Sequence, residues 1–131
     1  DAGGATHDIA ITVTGAHSEP AAEAVGRAVA RSNLVKTAIF GNDPNWGRIL
    51  SQVGTVPTEV AHFAVDEVDV TINGVMICHG GMAHRPRTEV DLAANREVDI
   101  TINLNAGDAQ ATIWTNDLTH AYVHENSAYS T

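Results

Sequence analysis

Three stretches of strict two-residue alternation constrain this chain more than any other feature. Ile9, Ile11 and Val13 alternate with polar or small residues, and Val68, Val70 and Ile72 do the same. Val98, Ile100, Ile102 and Leu104 then alternate with Asp99, Thr101 and Asn103. A period of two puts every apolar side chain of a run on one face of an extended strand. Half-buried strands of this kind require a sheet with something packed over its apolar side.

Helix signals sit between these runs. Ser18 is a good N-cap, with Glu19 and Pro20 in the first turn, where an acid and a missing N–H are best tolerated. A helix follows from Glu19 to about Ser32, with a thin stripe of Ala21, Val25, Ala28 and Val29. Such small side chains imply close packing against the sheet. Leu34 to Phe40 is apolar and β-branched, broken only by Lys36 and Thr37, and reads as a second, central strand closed by Gly41. Asp43 is the candidate N-cap of the next helix, with Pro44 at its first position. Trp46, Ile49, Leu50 and Val53 recur at helical spacing, so Pro44 to Val53 reads as an amphipathic helix with Gly54 as its C′ residue.

The stretch from Thr55 to Asp66 is weakly patterned. Asn73-Gly74 lies between two β-rich runs and predicts a type I′ hairpin, which needs positive φ at both central positions. His79 to Asn95 reads as a long loop with room for a short helical turn. Ala106 to Asp108 predicts a turn, and Ala109 to Thr115 a returning strand that completes a second hairpin. Asn116 or Asp117 is the expected cap of a last helix bearing Leu118, Ala121 and Tyr122. The reading is a single α+β domain over residues 1–131: two strand-helix units, two β-hairpins and a C-terminal helix.

Charge and cysteine content narrow the function classes. Seven Lys and Arg against sixteen Asp and Glu give a net charge of −9, which repels phosphate backbones and anionic membrane surfaces. No nucleic-acid or membrane partner is expected. A single cysteine, Cys78, excludes an internal disulfide framework and a Cys-rich zinc site. No apolar run approaches the roughly 20 residues of a membrane span. Asp1 to Thr6 has neither a basic n-region nor an apolar h-region. The expectation is a soluble domain from a reducing compartment.

Several residue groups invite chemistry, and each has a plainer reading beside it. His79 and His84 flank Gly-Gly-Met-Ala, and His120 and His124 are spaced i, i+4, which suits zinc. No His-Glu-x-x-His accompanies them, and exposed positions explain them as well. Asp66, Glu67 and Asp69 resemble hard-cation ligands but read better as the solvated outer face of a strand. In Gly41-Asn42-Asp43-Pro44-Asn45-Trp46-Gly47-Arg48, a helix start with Arg48 suits an anion; a capped helix with a packed Trp46 suits the same residues. Cys78 ends an apolar strand and reads as buried and inert. Ala5-Thr6 evokes a threonine nucleophile freed by cleavage, but Asp1 precedes it and a turn into the first strand is the plainer reading.

Two long motifs carry a resemblance. Val35-Lys36-Thr37-Ala38-Ile39-Phe40-Gly41, followed by Asp43-Pro44-Asn45-Trp46-Gly47-Arg48-Ile49, resembles the signature of the ornithine acetyltransferase family. These are the bifunctional glutamate N-acetyltransferases of arginine biosynthesis. Thr112-Ile113-Trp114-Thr115-Asn116-Asp117-Leu118-Thr119, with Tyr122-Val123 and Asn126, resembles the family's C-terminal end. Gly4-Ala5-Thr6 is similar to the loop before its last domain. The resemblance covers essentially the whole chain.

It implies a precursor that cleaves itself at an Ala-Thr bond into α and β chains. The new N-terminal Thr of the β chain takes the acetyl group of N-acetylornithine and passes it to glutamate. Acetyl-CoA is a co-substrate in some members; no metal or bound cofactor is implied. The implied assembly is a cytoplasmic heterotetramer. This chain matches the C-terminal part of the β chain, so the nucleophile and the oxyanion hole lie outside it. Its partners would be the α chain, the rest of the β chain and amino-acid substrates. Asn126 and Thr131 match substrate-binding positions, where an amide and a hydroxyl can bond an α-carboxylate and α-amine. Gly3 stands where the family usually has Glu. The rival readings are a non-catalytic scaffold of the same fold, which Gly3 favours, a related self-cleaving amidase or aminopeptidase, and a histidine-based metal hydrolase.

Overall fold

Among the described residues, the alternating runs do form one sheet, of six strands. The computed structural model describes residues 6–117. β1 (His7–Ala16), β2 (Asp69–Ile72), β3 (Val75–His79), β4 (Met82–Ala83), β5 (Glu97–Asn103) and β6 (Ala109–Asp117) lie in the order β4-β3-β2-β5-β1-β6. β1 runs parallel to β5, and the other pairings are antiparallel. Ile9, Ile11, Val13, Val98, Ile100 and Ile102 all point into the core. Their neighbours face the other way, where Thr71, Thr101, Thr12 and Thr112 form a row across four strands. Thr12 and Thr112 share a hydroxyl hydrogen bond of 3.0 Å there.

Among the described residues, three helices cover the apolar face: α1 (Glu19–Ala30), α2 (Asn33–Phe40) and α3 (Trp46–Val53). Ser18 caps α1 by accepting from the N–H of Ala21 at 3.2 Å. The small-residue stripe packs as closely as expected. A Cβ built on Gly26 would stand 2.7 Å from Cγ1 of Ile113 on β6, so only glycine fits.

The α+β single-domain class holds, while three local expectations are corrected. Leu34 to Phe40 is not a strand but most of α2. Ser32 accepts from the N–H of Val35 and caps it, and Val35, Ala38 and Ile39 bury one helical face while Leu34 stays exposed. A short apolar run does not by itself distinguish strand from helix, and both edges of β1 are already occupied by β5 and β6. The cap of α3 is Asn45 rather than Asp43, and Gly54 after it keeps a negative φ.

The second hairpin is also absent as such, because β1 lies between β5 and β6. The connection crosses the end of β1, where Leu104 donates to the Thr14 carbonyl and Ala106 to that of Gly15. Alternation sets which face is buried but leaves open which strand is the neighbour. Asn116 and Asp117 end β6. The expected helix after them lies outside the described residues.

The first hairpin is as predicted, with Asn73 at φ 49° and Gly74 at φ 83° between β2 and β3. The long loop after it contains β4 and two 3-10 turns, Arg87–Glu89 and Leu92–Ala94, and it buries Val90 and Leu92.

Candidate functional site

The residues of the 41–45 loop are held from both sides. α2 ends in a Schellman arrangement: Asn42 donates to the Ile39 carbonyl and Asp43 to that of Ala38 at 2.8 Å. This places Asn42 at φ 60°, a left-handed position that asparagine accepts better than most residues. On the other side, Asn45 Oδ1 accepts from the N–H of Arg48 at 3.0 Å and starts α3. Asn45 Nδ2 donates to Asp43 Oδ2, and Arg87 Nη1 donates to Asp43 Oδ1 at 2.7 Å. The helix start is therefore filled by its own asparagine. Arg48 turns its guanidinium to the Leu34 carbonyl at 2.9 Å, and Trp46 packs against the core. Of the two readings of this motif, the geometry is that of the capped helix.

Asn42 links this loop to the rest of the molecule. Its Oδ1 accepts from the N–H of Leu92 at 2.8 Å, and its Nδ2 donates to Asp91. The Leu92 carbonyl lies 2.7 Å from Nε2 of His7. His7 Nδ1 lies 2.5 Å from Oδ2 of Asp117, whose other oxygen accepts from the His7 backbone N–H. Asp117 is fully buried and His7 nearly so. A carbonyl can only accept, so Nε2 of His7 must carry a proton. The chain of contacts runs from the start of β1 and the end of β6, through Leu92, to the loop before α3. Asn42, Asp43, Arg87 and Asp91 line a cleft of about 460 Å³ beside it.

The other candidates are distributed differently. Asp66 and Glu67 lie on a 3-10 turn, not on a strand, and only Asp69 belongs to β2. Nor is Asp69 a freely solvated carboxylate, since its side chain is 13% exposed. It accepts from the Gly80 N–H and the Asn105 amide and pairs with the His79 ring at 2.9 Å. Burial alone would raise its pKa, but these hydrogen bonds and the His79 charge outweigh it and hold the carboxyl below its ordinary value. The His84 ring lies 5.4 Å from that of His79. Among the described residues, no group of three or more His, Cys, Asp and Glu is arranged to hold a metal. Cys78 is fully buried, and burial raises its thiol pKa, so it is a poor nucleophile. Gly3, His120, His124, Asn126 and Thr131 lie outside the described residues.

Sequence reasoning missed His7 and Asp117. Only their placement at matching ends of β1 and β6 joins them, across 110 residues of sequence. In the sequence His7 stands as a strand start and Asp117 as a helix cap.

Comparison with known proteins places this geometry in a family. Residues 1–131 match the family model described as the ArgJ family. The chain is 63% identical over 130 residues to the arginine biosynthesis bifunctional protein ArgJ of Bifidobacterium longum, covering 98% of this chain and 33% of that protein. It is 55% identical over 131 residues to the protein of the same name from Thermobifida fusca, covering 100% and 33%. The crystal structure of the arginine biosynthesis bifunctional protein ArgJ from Bacillus halodurans matches with a TM-score of 0.81 and 32% identity, covering 97% of this chain and 60% of that one. The chain thus spans about a third of the length of the curated relatives it matches. By a match along its whole length and by its fold, the chain belongs to the ArgJ family.

Proposed function

We propose that this chain is the C-terminal part of the β chain of an acetyltransferase of arginine biosynthesis. The whole enzyme moves an acetyl group from N-acetylornithine to glutamate by double displacement through an acetyl-threonine. The threonine belongs to a part of the protein outside this chain. The chain contributes Asn126 and Thr131 to the substrate pocket and an interface to the α chain and the rest of the β chain. The setting is cytoplasmic, and acetyl-CoA is a possible co-substrate. Among the described residues, no helix is long and apolar enough to cross a membrane.

The observation that carries this reading is the 63% identity along nearly the whole chain to a protein named for a bifunctional role in arginine biosynthesis. Length supports the two-chain form. This chain covers 60% of the crystallised relative but 33% of the curated ones, so the crystallised chain is roughly half their length, as one product of a cleaved precursor would be. The burial of Cys78 fits a nucleophile located elsewhere.

The test is acetyl transfer from N-acetylornithine to glutamate, assayed with this chain alone and with its full precursor. Activity only in the full assembly is expected. No transfer by a folded, cleaved precursor overturns the acetyltransferase reading and favours a scaffold or another acyl substrate. Activity of the chain alone would mean that the nucleophile has been misplaced.

A further inference from the structure

We infer that His79, Met82 and His84, on the hairpin of β3 and β4, form a binding site for a soft, singly charged copper ion. The site is independent of the acetyltransferase reading. The register pairs His79 with Met82 across the hairpin, so their side chains share one face. His84 lies two residues beyond Met82 and returns to that face. Its ring centre is 5.4 Å from that of His79. Two imidazoles bound to one ion through metal–nitrogen bonds of about 2.0 Å place their ring centres roughly 5–6 Å apart. Met82 is 71% exposed, so its thioether is open to a ligand. Two histidines alone close no site, and the third ligand here is that sulfur.

The chain holds this hairpin in place before any ion arrives. Gly80 and Gly81 turn it at φ 59° and 75°, the positive pair that a two-residue type I′ loop requires. Gly81 donates to the Val68 carbonyl at 2.8 Å. Asp69 Oδ1 accepts from the Gly80 N–H and from Nδ1 of His79, each at 2.9 Å. Its other oxygen accepts from the Asn105 amide. A carboxylate that takes the Nδ1 proton fixes the ring and leaves Nε2 with the lone pair, as metal-binding histidines require. With both oxygens engaged, Asp69 orients the ring and is not itself a ligand. Imidazole suits several metals, and a thioether selects Cu(I) among them. His17 and His62 provide the contrast. Their rings are 5.5 Å apart, but His17 Nδ1 already accepts from the His62 N–H.

The experiment uses the full precursor, cleaved and assembled, with Cu(I) kept reduced by ascorbate in the absence of oxygen. Retention is measured in competition with bicinchoninate, which colours on binding Cu(I), and Zn(II) is titrated separately. The variants are His79→Ala, His84→Ala, Met82→Leu and, as a control, His62→Ala. All four residues are exposed, so their replacement leaves the fold intact. His79→Ala and His84→Ala are each expected to retain one Cu(I) fewer per copy than wild type. Their affinity loss should be at least the roughly ten- to hundredfold that removal of an outer-shell partner costs. Met82→Leu should weaken Cu(I) about tenfold and leave Zn(II) unchanged, since sulfur favours the softer ion. His62→Ala should match wild type.

Copper X-ray absorption provides a second readout, with one sulfur neighbour expected to disappear between wild type and Met82→Leu. Equal Cu(I) retention by wild type and both hairpin histidine variants overturns the site, as does a wild type that retains none. An equal loss in His62→Ala means diffuse binding by surface histidines and overturns it too. An unchanged copper shell in Met82→Leu overturns the thioether ligand, and with it the choice of copper.

Discussion

Substitution of Asn42 separates two contributions that the structure superimposes at one residue. Its backbone holds a left-handed φ of 60° at the end of α2, and its side chain receives the Leu92 N–H at 2.8 Å. Asn42→Gly keeps the backbone comfortable and removes only the side-chain tie. The loss of one hydrogen bond to a part-buried N–H amounts to about 1–2 kcal/mol. Asn42→Ala removes the same tie and, unlike glycine, keeps a Cβ in the left-handed region without the short polar side chain that lets asparagine occupy it, adding about 1 kcal/mol. The expected order of stability is wild type, glycine, alanine, with total losses of about 1–2 and 2–3 kcal/mol.

For a domain of this length, each kcal/mol shifts the melting temperature by about 4 °C. Urea unfolding with a common slope measures both steps. If Asn42→Gly matches wild type, the tie between the 41–45 loop and the Leu92 turn contributes nothing and the connected network is only a geometric coincidence. If alanine and glycine lose equally, the left-handed position is not strained and the Schellman reading is wrong.

Four further outcomes follow from other parts of the molecule. Asn45→Ala removes the cap of α3 and should lose about 1 kcal/mol, up to 2, in chemical denaturation; no loss would mean that the Arg48 N–H has another acceptor. Gly26→Ala gains helix propensity of about 1 kcal/mol, yet its Cβ meets Ile113, so a net loss of about 1–2 kcal/mol is expected from overpacking. Stabilisation by that variant would contradict the close approach of α1 to β6. Cys78 should resist thiol reagents in the folded chain and react on unfolding, and rapid labelling of native protein would refute its burial. Asp69 has a carboxyl pKa below its unfolded value, so its stabilisation is complete above the ordinary carboxylate pKa. That stabilisation disappears as pH falls through the lowered value. Asp69→Asn should flatten the acid limb of the stability profile, and an unchanged limb would remove Asp69 from that role.

Legibility in the sequence varied with the range of the cause. Caps at Ser18 and the Asn73-Gly74 turn were readable because each depends on residues within a few positions. The α2 segment was not, since Leu34 to Phe40 has the apolar, β-branched composition of a strand and only its surroundings make it helical. The 41–45 motif stood out as unusual, but two readings of it remained. The choice came from Arg48 turning to Leu34 and Asn45 filling the helix start. Nothing local pointed to His7 and Asp117.

The sequence by itself determined the sheet-forming runs, the faces they bury, the first hairpin and the family motifs, because period, turn chemistry and local identity are written residue by residue. The tertiary structure decided which strands are neighbours, and with that it inserted β1 between β5 and β6. It also decided that α2 is a helix and that a histidine and an aspartate 110 residues apart meet in a buried pair. The physical reason is common to all three. Alternation specifies a face but not a partner, and burial of a polar group is settled only when distant strands come together to desolvate it.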